Sequence, residues 1–299
     1  MILFLGDDGR LRSGWRFLIS VGAFVAANWI AALFADSLAR GSERLFDVLF
    51  RPAAALLSLL AYCLMLLVLD RVKGNPLRAL GLGSHAALPD SFLGITVGFG
   101  MALLAVLLQA AVQRGQWGYS PDLNRHTFKL ALIVLWTLVS GALAEELSFR
   151  GYPFQRLVEG LGPVGAIVVS SILFGSVHLR NPHVSLLGAL NTVLIGVVLS
   201  VAYLRSRGLW LPWGIHFSWN MTLGLIFGLP VSGLTDFAVF GEGRVAGPNW
   251  LTGGNYGLEG GILATVAIGL GFLFLRRQVP QRPAPAIEIR PLFVPRIAP

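Results

Sequence analysis

The chain has 299 residues, of which 55% are hydrophobic and 13% charged, against roughly 45–50% and 25% in an average soluble domain. That balance excludes an ordinary soluble fold. The formal charge of +8 is scattered between apolar runs instead of forming one basic face, which argues against a nucleic-acid partner and for loop charges that orient a membrane protein.

Met1–Ser13 begins with a short apolar stretch followed by Asp7 and Asp8, so no cleavable signal peptide is expected. Runs of about 18 or more apolar residues can cross a bilayer. The sequence predicts eight: Trp15–Ala35, Pro52–Leu69, Ser91–Val112, Lys129–Phe149, Pro163–Leu179, Ser185–Leu204, Leu209–Leu229 and Gly260–Leu275. The expected fold class is therefore all-α, a polytopic bundle of about eight transmembrane helices forming one domain over 1–275. Cys63 lies inside an apolar run and reads as a small buried hydrophobe. The glycine-rich stretch Pro230–Glu259 reads as an irregular loop at the membrane face, partly re-entrant. Pro and Arg alternate over 276–299, which predicts a disordered tail drawn to anionic headgroups.

Placing both termini in the cytoplasm puts about two thirds of the Lys and Arg on their side of the membrane, Arg16, Arg150, Arg156 and Arg205 among them. Arg40, Arg44, Arg51, Arg114, Arg125, Lys129, Arg180 and Arg244 fall opposite. A multi-pass protein of a bacterial plasma membrane is the expected setting.

An ionisable side chain in hydrocarbon costs at least about 2.5–3.5 kcal/mol and is by default a functional candidate. Such groups gather in the second half of the chain. The fourth segment ends on Glu145, Glu146 and Arg150, the fifth carries Phe174 and His178, and the seventh carries His216 and Asn220. Residues four apart share a helix face, so Glu146 can pair with Arg150 while Glu145 is turned about 100° away, toward the bundle interior. There it suits a general base. His216 and Asn220 are also four apart and could together donate to one developing oxyanion. Small residues before the glutamates, Ser140, Gly141, Ala142 and Ala144, permit the close helix approach that brings His178 within reach.

Each group alone has a plainer reading. Glu146 with Arg150 is an ion pair at a helix end, His178 an interhelical hydrogen-bond partner, His216 with Asn220 the same, and Phe174 packing. What favours a site is the convergence of several polar groups on three helices. His85, His126 and His183 lie in or beside loops and are expected to have no role, and Asn191 reads as a packing amide. One tension remains: if the fifth helix begins at Pro163, His178 lies about 22 Å from the face where Glu145 sits. The expected remedy is a shifted boundary for the fourth helix that sets Glu145 deeper.

The ordered set E-E-x-x-x-R, F-x-x-x-H and H-x-x-x-N at these positions resembles the CPBP family, the CAAX prenyl endopeptidase and bacteriocin-processing membrane proteins, over about Gly141–Gly224. The resemblance implies an eight-helix intramembrane endopeptidase. In it Glu145 with His178 would activate water, His216 and Asn220 would hold the oxyanion, and Glu146, Arg150 and Phe174 would shape the site. It implies a peptide or membrane-protein substrate, with lipidated ones admitted. Glu145, His178 and His216 also resemble a zinc set, but they lack the same-helix H-E-x-x-H spacing, so no metal is favoured. Two other functions stay open: an inactive binding or bacteriocin-immunity protein, and an ion- or proton-coupled transporter, although no paired broken helices support the latter.

Overall fold

The computed structural model describes residues 4–6, 8–83, 86–113, 124–243 and 247–282. His85, Arg114, Arg244 and the chain from 283 onward, with Arg290 and Arg296, lie outside them. The described chain is helical: α1 Ser13–Ala39, α2 Glu43–Val68, α3 Pro76–Ala79, α4 Ala87–Gln113, α5 Arg125–Arg150, α6 Tyr152–Val177, α7 Leu186–Ser206, α8 Trp210–Asn220, α9 Asn249–Thr252 and α10 Ile262–Gln278. Five helical stretches, 13–39, 43–68, 87–112, 125–180 and 186–206, are long and apolar enough to cross a membrane. The fourth of these contains both α5 and α6. α8 runs on into a wider π turn, Met221–Ile226, and that pair and α10 are close to the shortest spanning length, about 17 residues. Each of the eight expected segments falls on one of these longer helices, and the protein is an integral membrane helix bundle.

The lipid-facing side is carried by outward apolar residues such as Val25, Trp29 and Leu33 of α1, each more than half exposed. The centre is α8 with its π turn, where Leu211, Ile215 and Leu223 are fully buried among Val97, Met101, Leu138, Leu199 and Ala267 of α4, α5, α7 and α10. α4 reaches α8 across glycines. A Cβ at Gly94 or Gly98 would collide with the carbonyl oxygens of Leu211 or Ile215, and one at Gly214 would stand 2.8 Å from the Ser91 oxygen. Without a hydrophobic drive between helices in lipid, such close backbone approach supplies the packing energy. Gly98→Ala is therefore expected to cost about 1–3 kcal/mol by overpacking, seen as a lower thermal midpoint of the purified protein; an unchanged midpoint would mean that α8 can shift freely.

Two helices differ from expectation. α2 starts at Glu43, capped by Ser42, and carries Pro52 in its interior, so Arg51 is a helix residue facing inward and not a loop charge on the far side. α6 starts at Tyr152 and breaks at Gly162, whose φ of 75° and ψ of 172° lie outside helical space and suit glycine. Its first limb leaves the end of α5 and its second returns past it: Ser170 Oγ donates to the Phe149 carbonyl at 2.9 Å. This corrects the remedy proposed for the depth of His178. The α5 boundary stays at Arg150, and the doubling back of α6 brings His178 to Glu145.

The first limb of α6 brings charges into the bundle. Arg16, 2% exposed, donates to Asp70 and, at 2.5 Å, to Glu159. Arg156 reaches Asp70 at 2.9 Å and Glu159 at 3.1 Å. Arg16 and Arg156, read as orienting loop charges, thus sit in a compact four-charge network that ties α1 and the end of α2 to α6. At the other end of the chain the helix persists to Gln278, and Arg282 makes a forked pair with Asp90 at 2.5 and 2.6 Å.

Candidate active site

α5, α6 and α8 each deliver one of three converging side chains. Glu145 Oε2 lies 3.8 Å from His178 Nε2 and 3.7 Å from His216 Nε2. Local bonds set both imidazoles. His178 Nδ1–H donates to the Phe174 carbonyl one turn back, at 2.7 Å. His216 Nδ1–H donates to Glu146 Oε1 at 2.8 Å. With Nδ1 occupied as a donor, each ring turns Nε2 toward Glu145.

Glu146 is fully buried and accepts from two sides. Arg150 Nη1 donates to the same Oε1 at 3.2 Å, and Arg150 Nη2 donates to the Gly196 carbonyl at 3.1 Å. The Arg150 guanidinium also lies over the Phe174 ring at 4.4 Å. The expected Glu146–Arg150 pair is present, but the carboxylate serves His216 as well. That partnership joins residues 70 positions apart and left no mark in the local spacing.

These groups face an open cavity of about 290 Å³. Asn220 lines it beside His216, as their shared face predicts, and so does Phe174. His126 and His183 are exposed and are absent from its lining. Asn191 lines the cavity, but its amide is committed: it donates to the carbonyls of Glu259 and Gly261 at 2.8 and 2.9 Å and accepts from Thr265 Oγ1 at 2.7 Å.

Two cavity groups were not anticipated. Arg51 projects from α2, and Glu259 comes from the glycine-rich loop. Glu259 accepts from Trp219 Nε1 at 2.8 Å, from Ser232 Oγ at 2.9 Å and from the Ser232 backbone N–H, which fastens the loop to α8 between His216 and Asn220. The only signal in the sequence was a carboxylate within a loop next to an apolar segment.

Among the described residues no group of three or more His, Cys, Asp or Glu has the geometry to hold a metal ion. Tetrahedral zinc ligands at about 2.0–2.1 Å stand roughly 3.3 Å apart, closer than Glu145 to either imidazole, and the cationic Arg51 shares the cavity. The site as arranged does not fit a zinc ion.

Fold and site together define a helical membrane protein with a glutamate and two histidines meeting at an internal cavity. Residues 127–222, about a third of the chain, match the family model described as type II CAAX prenyl endopeptidase Rce1-like, and all seven motif residues lie within it, so the resemblance seen in the motifs stands. A Bacillus subtilis protein, "Putative membrane peptidase YdiL", is 25% identical over 162 residues, 52% of this chain; the match spans 63% of that protein's length. No solved structure matches.

Proposed function

We propose that the protein is an intramembrane endopeptidase in which Glu145 activates a water for attack on a peptide carbonyl. The observation that carries this reading is the placement of His178 and His216 at 3.8 and 3.7 Å from Glu145 at an open cavity of about 290 Å³. The separations are too long for direct hydrogen bonds and suit groups that share a small molecule. Glu145, helped by His178, takes a proton as the water oxygen bonds to the carbonyl carbon. The negative charge that develops on the carbonyl oxygen is held by His216 Nε2, when it carries a proton, and by the Asn220 amide. Glu145 then returns the proton to the leaving nitrogen as the C–N bond breaks. Glu146 acts on His216 as the carboxylate of a catalytic triad acts on its histidine, fixing the ring and offsetting its charge. Arg150 and Phe174 hold Glu146 and His178 in place.

In this reading no metal takes part, both termini are cytoplasmic on the distribution of Lys and Arg, and the substrate is a peptide or membrane-protein segment that enters from the bilayer, lipidated chains included. The test is incubation of the purified protein with a peptide library in H₂¹⁸O, with and without a strong chelator. One ¹⁸O should appear in the new carboxylate, and the chelator should leave the rate unchanged. Chelator-sensitive cleavage would overturn the metal-free assignment. Ion flux into proteoliposomes without any cleavage would favour a transporter instead.

A further inference from the structure

Glu259 lines the cavity and takes no part in the reaction proposed above. Its two oxygens reach in different directions. Oε1 accepts from Trp219 Nε1 of α8, and Oε2 accepts from the Ser232 hydroxyl and backbone N–H at the start of the glycine-rich loop. Its main-chain carbonyl is held from a third side, where Asn191 of α7 donates to it and to the Gly261 carbonyl. The loop has little room to slide. Gly233, at φ 84°, packs so closely on the stretch after His178 that a Cβ there would collide with the Pro182 carbonyl oxygen. Glu259 is thus a fixed anchor for whatever it grips on α8.

What it grips stands where the helix changes its winding. The α-helical part of α8 ends at Asn220, and the backbone widens at once into the π turn Met221–Ile226, a local distortion of the kind found at functional sites. Trp219, 3% exposed, is the neighbour of Asn220. Adjacent helical residues point about 100° apart, so an indole bonded to a fixed carboxylate also fixes the direction in which Asn220 leaves the helix. The bond is charge-assisted, and such bonds are roughly twice as strong as neutral ones.

We infer that Glu259 is a positioning residue, acting through Trp219 to set the angle at which the Asn220 amide meets the developing oxyanion. The inference rests on the peptidase reading. Oxyanion donors must lie about 2.7–3.1 Å from the oxygen they stabilise, and a misplacement of about 1 Å can cost about 10²-fold in rate.

The test is steady-state cleavage, by the full-length protein, of a fluorogenic peptide chosen from those the wild type cuts. Glu259→Gln keeps the size of the side chain but places an amide N–H against Trp219 or Ser232, both donors, so one side of the anchor is lost. kcat should fall about tenfold with KM changed by less than about twofold, the pattern of an interaction made only in the transition state. Trp219→Phe, which keeps a ring and removes the donor, should reproduce this split. In an Asn220→Ala background the amide being aimed is gone, and Glu259→Gln should then cost less than about twofold. An anchor with a merely structural role would multiply the Asn220→Ala loss in full, and that result would overturn the inference. So would a raised KM at unchanged kcat, which would make the loop a binding wall. If Glu259→Gln does not fold, Trp219→Phe carries the same cycle with Asn220→Ala. A wild type that cuts no peptide ends the peptidase reading and this inference with it, whereas cleavage with independent losses ends the inference alone.

Discussion

Glu145→Gln is expected to lower peptide cleavage by about 10²–10⁴-fold while leaving the thermal midpoint unchanged. The substitution keeps the shape of the side chain and removes its ability to accept the proton of the attacking water. The imidazoles of His216 and His178 stand at 3.7 and 3.8 Å, beyond hydrogen-bonding distance, so no close polar contact with them depends on it. Glu146→Gln should fail differently. Among the described residues, Arg150, 0% exposed, would lose its one close carboxylate partner, and His216 the carboxylate that accepts from its Nδ1. Leaving a buried charge uncompensated costs about 3–5 kcal/mol, so this variant should lose stability and cleavage together. Parallel rate and melting measurements on the two variants separate the roles. Full activity in Glu145→Gln, or an equal loss of stability in both, would remove the division of labour between the neighbouring glutamates.

Arg16→Met is expected to destabilise the protein by a similar amount, about 3–5 kcal/mol, although Arg16 makes no contact with the cavity. Its loss removes one of the two guanidinium groups that face Asp70 and Glu159, both less than a tenth exposed. Methionine fills much of the volume but cannot offset the second carboxylate. Combining Arg16→Met with Glu159→Gln leaves one acid facing one base and should recover a large part of the loss. A double variant no more stable than Arg16→Met would show that the penalty came from packing and not from charge.

The eight apolar segments were legible because lipid demands long runs with few charges, and the motif residues stood out for the complementary reason that polar groups are rare there. The second apolar segment was expected to begin at Pro52, where the apolar run starts. In the fold Pro52 sits inside α2, and with that reading Arg51 was lost from the site. The first limb of α6 was hidden because Arg156 and Glu159 make it look like a loop. The charges that compensate them, Arg16 and Asp70, come from distant parts of the chain. The Glu145–Glu146 division could be read from helical periodicity, whereas the His216–Glu146 bond required the packing of α8 against α5.

The matched stretch 127–222 supplies every acid, base and amide assigned to the reaction, yet much of the wall around them comes from elsewhere: Phe24 and Asn28 of α1, Arg51 of α2, and Ser232, Phe237 and Glu259 of the late loop. In the proposed peptidase, then, the reacting groups and part of the surface that meets the substrate come from different portions of the polypeptide. Proteins that share the inner stretch can keep one hydrolytic step while their flanking portions diverge toward different substrates, and exchanging α2 and the late loop between two of them is the way to transfer preference without rebuilding the machinery.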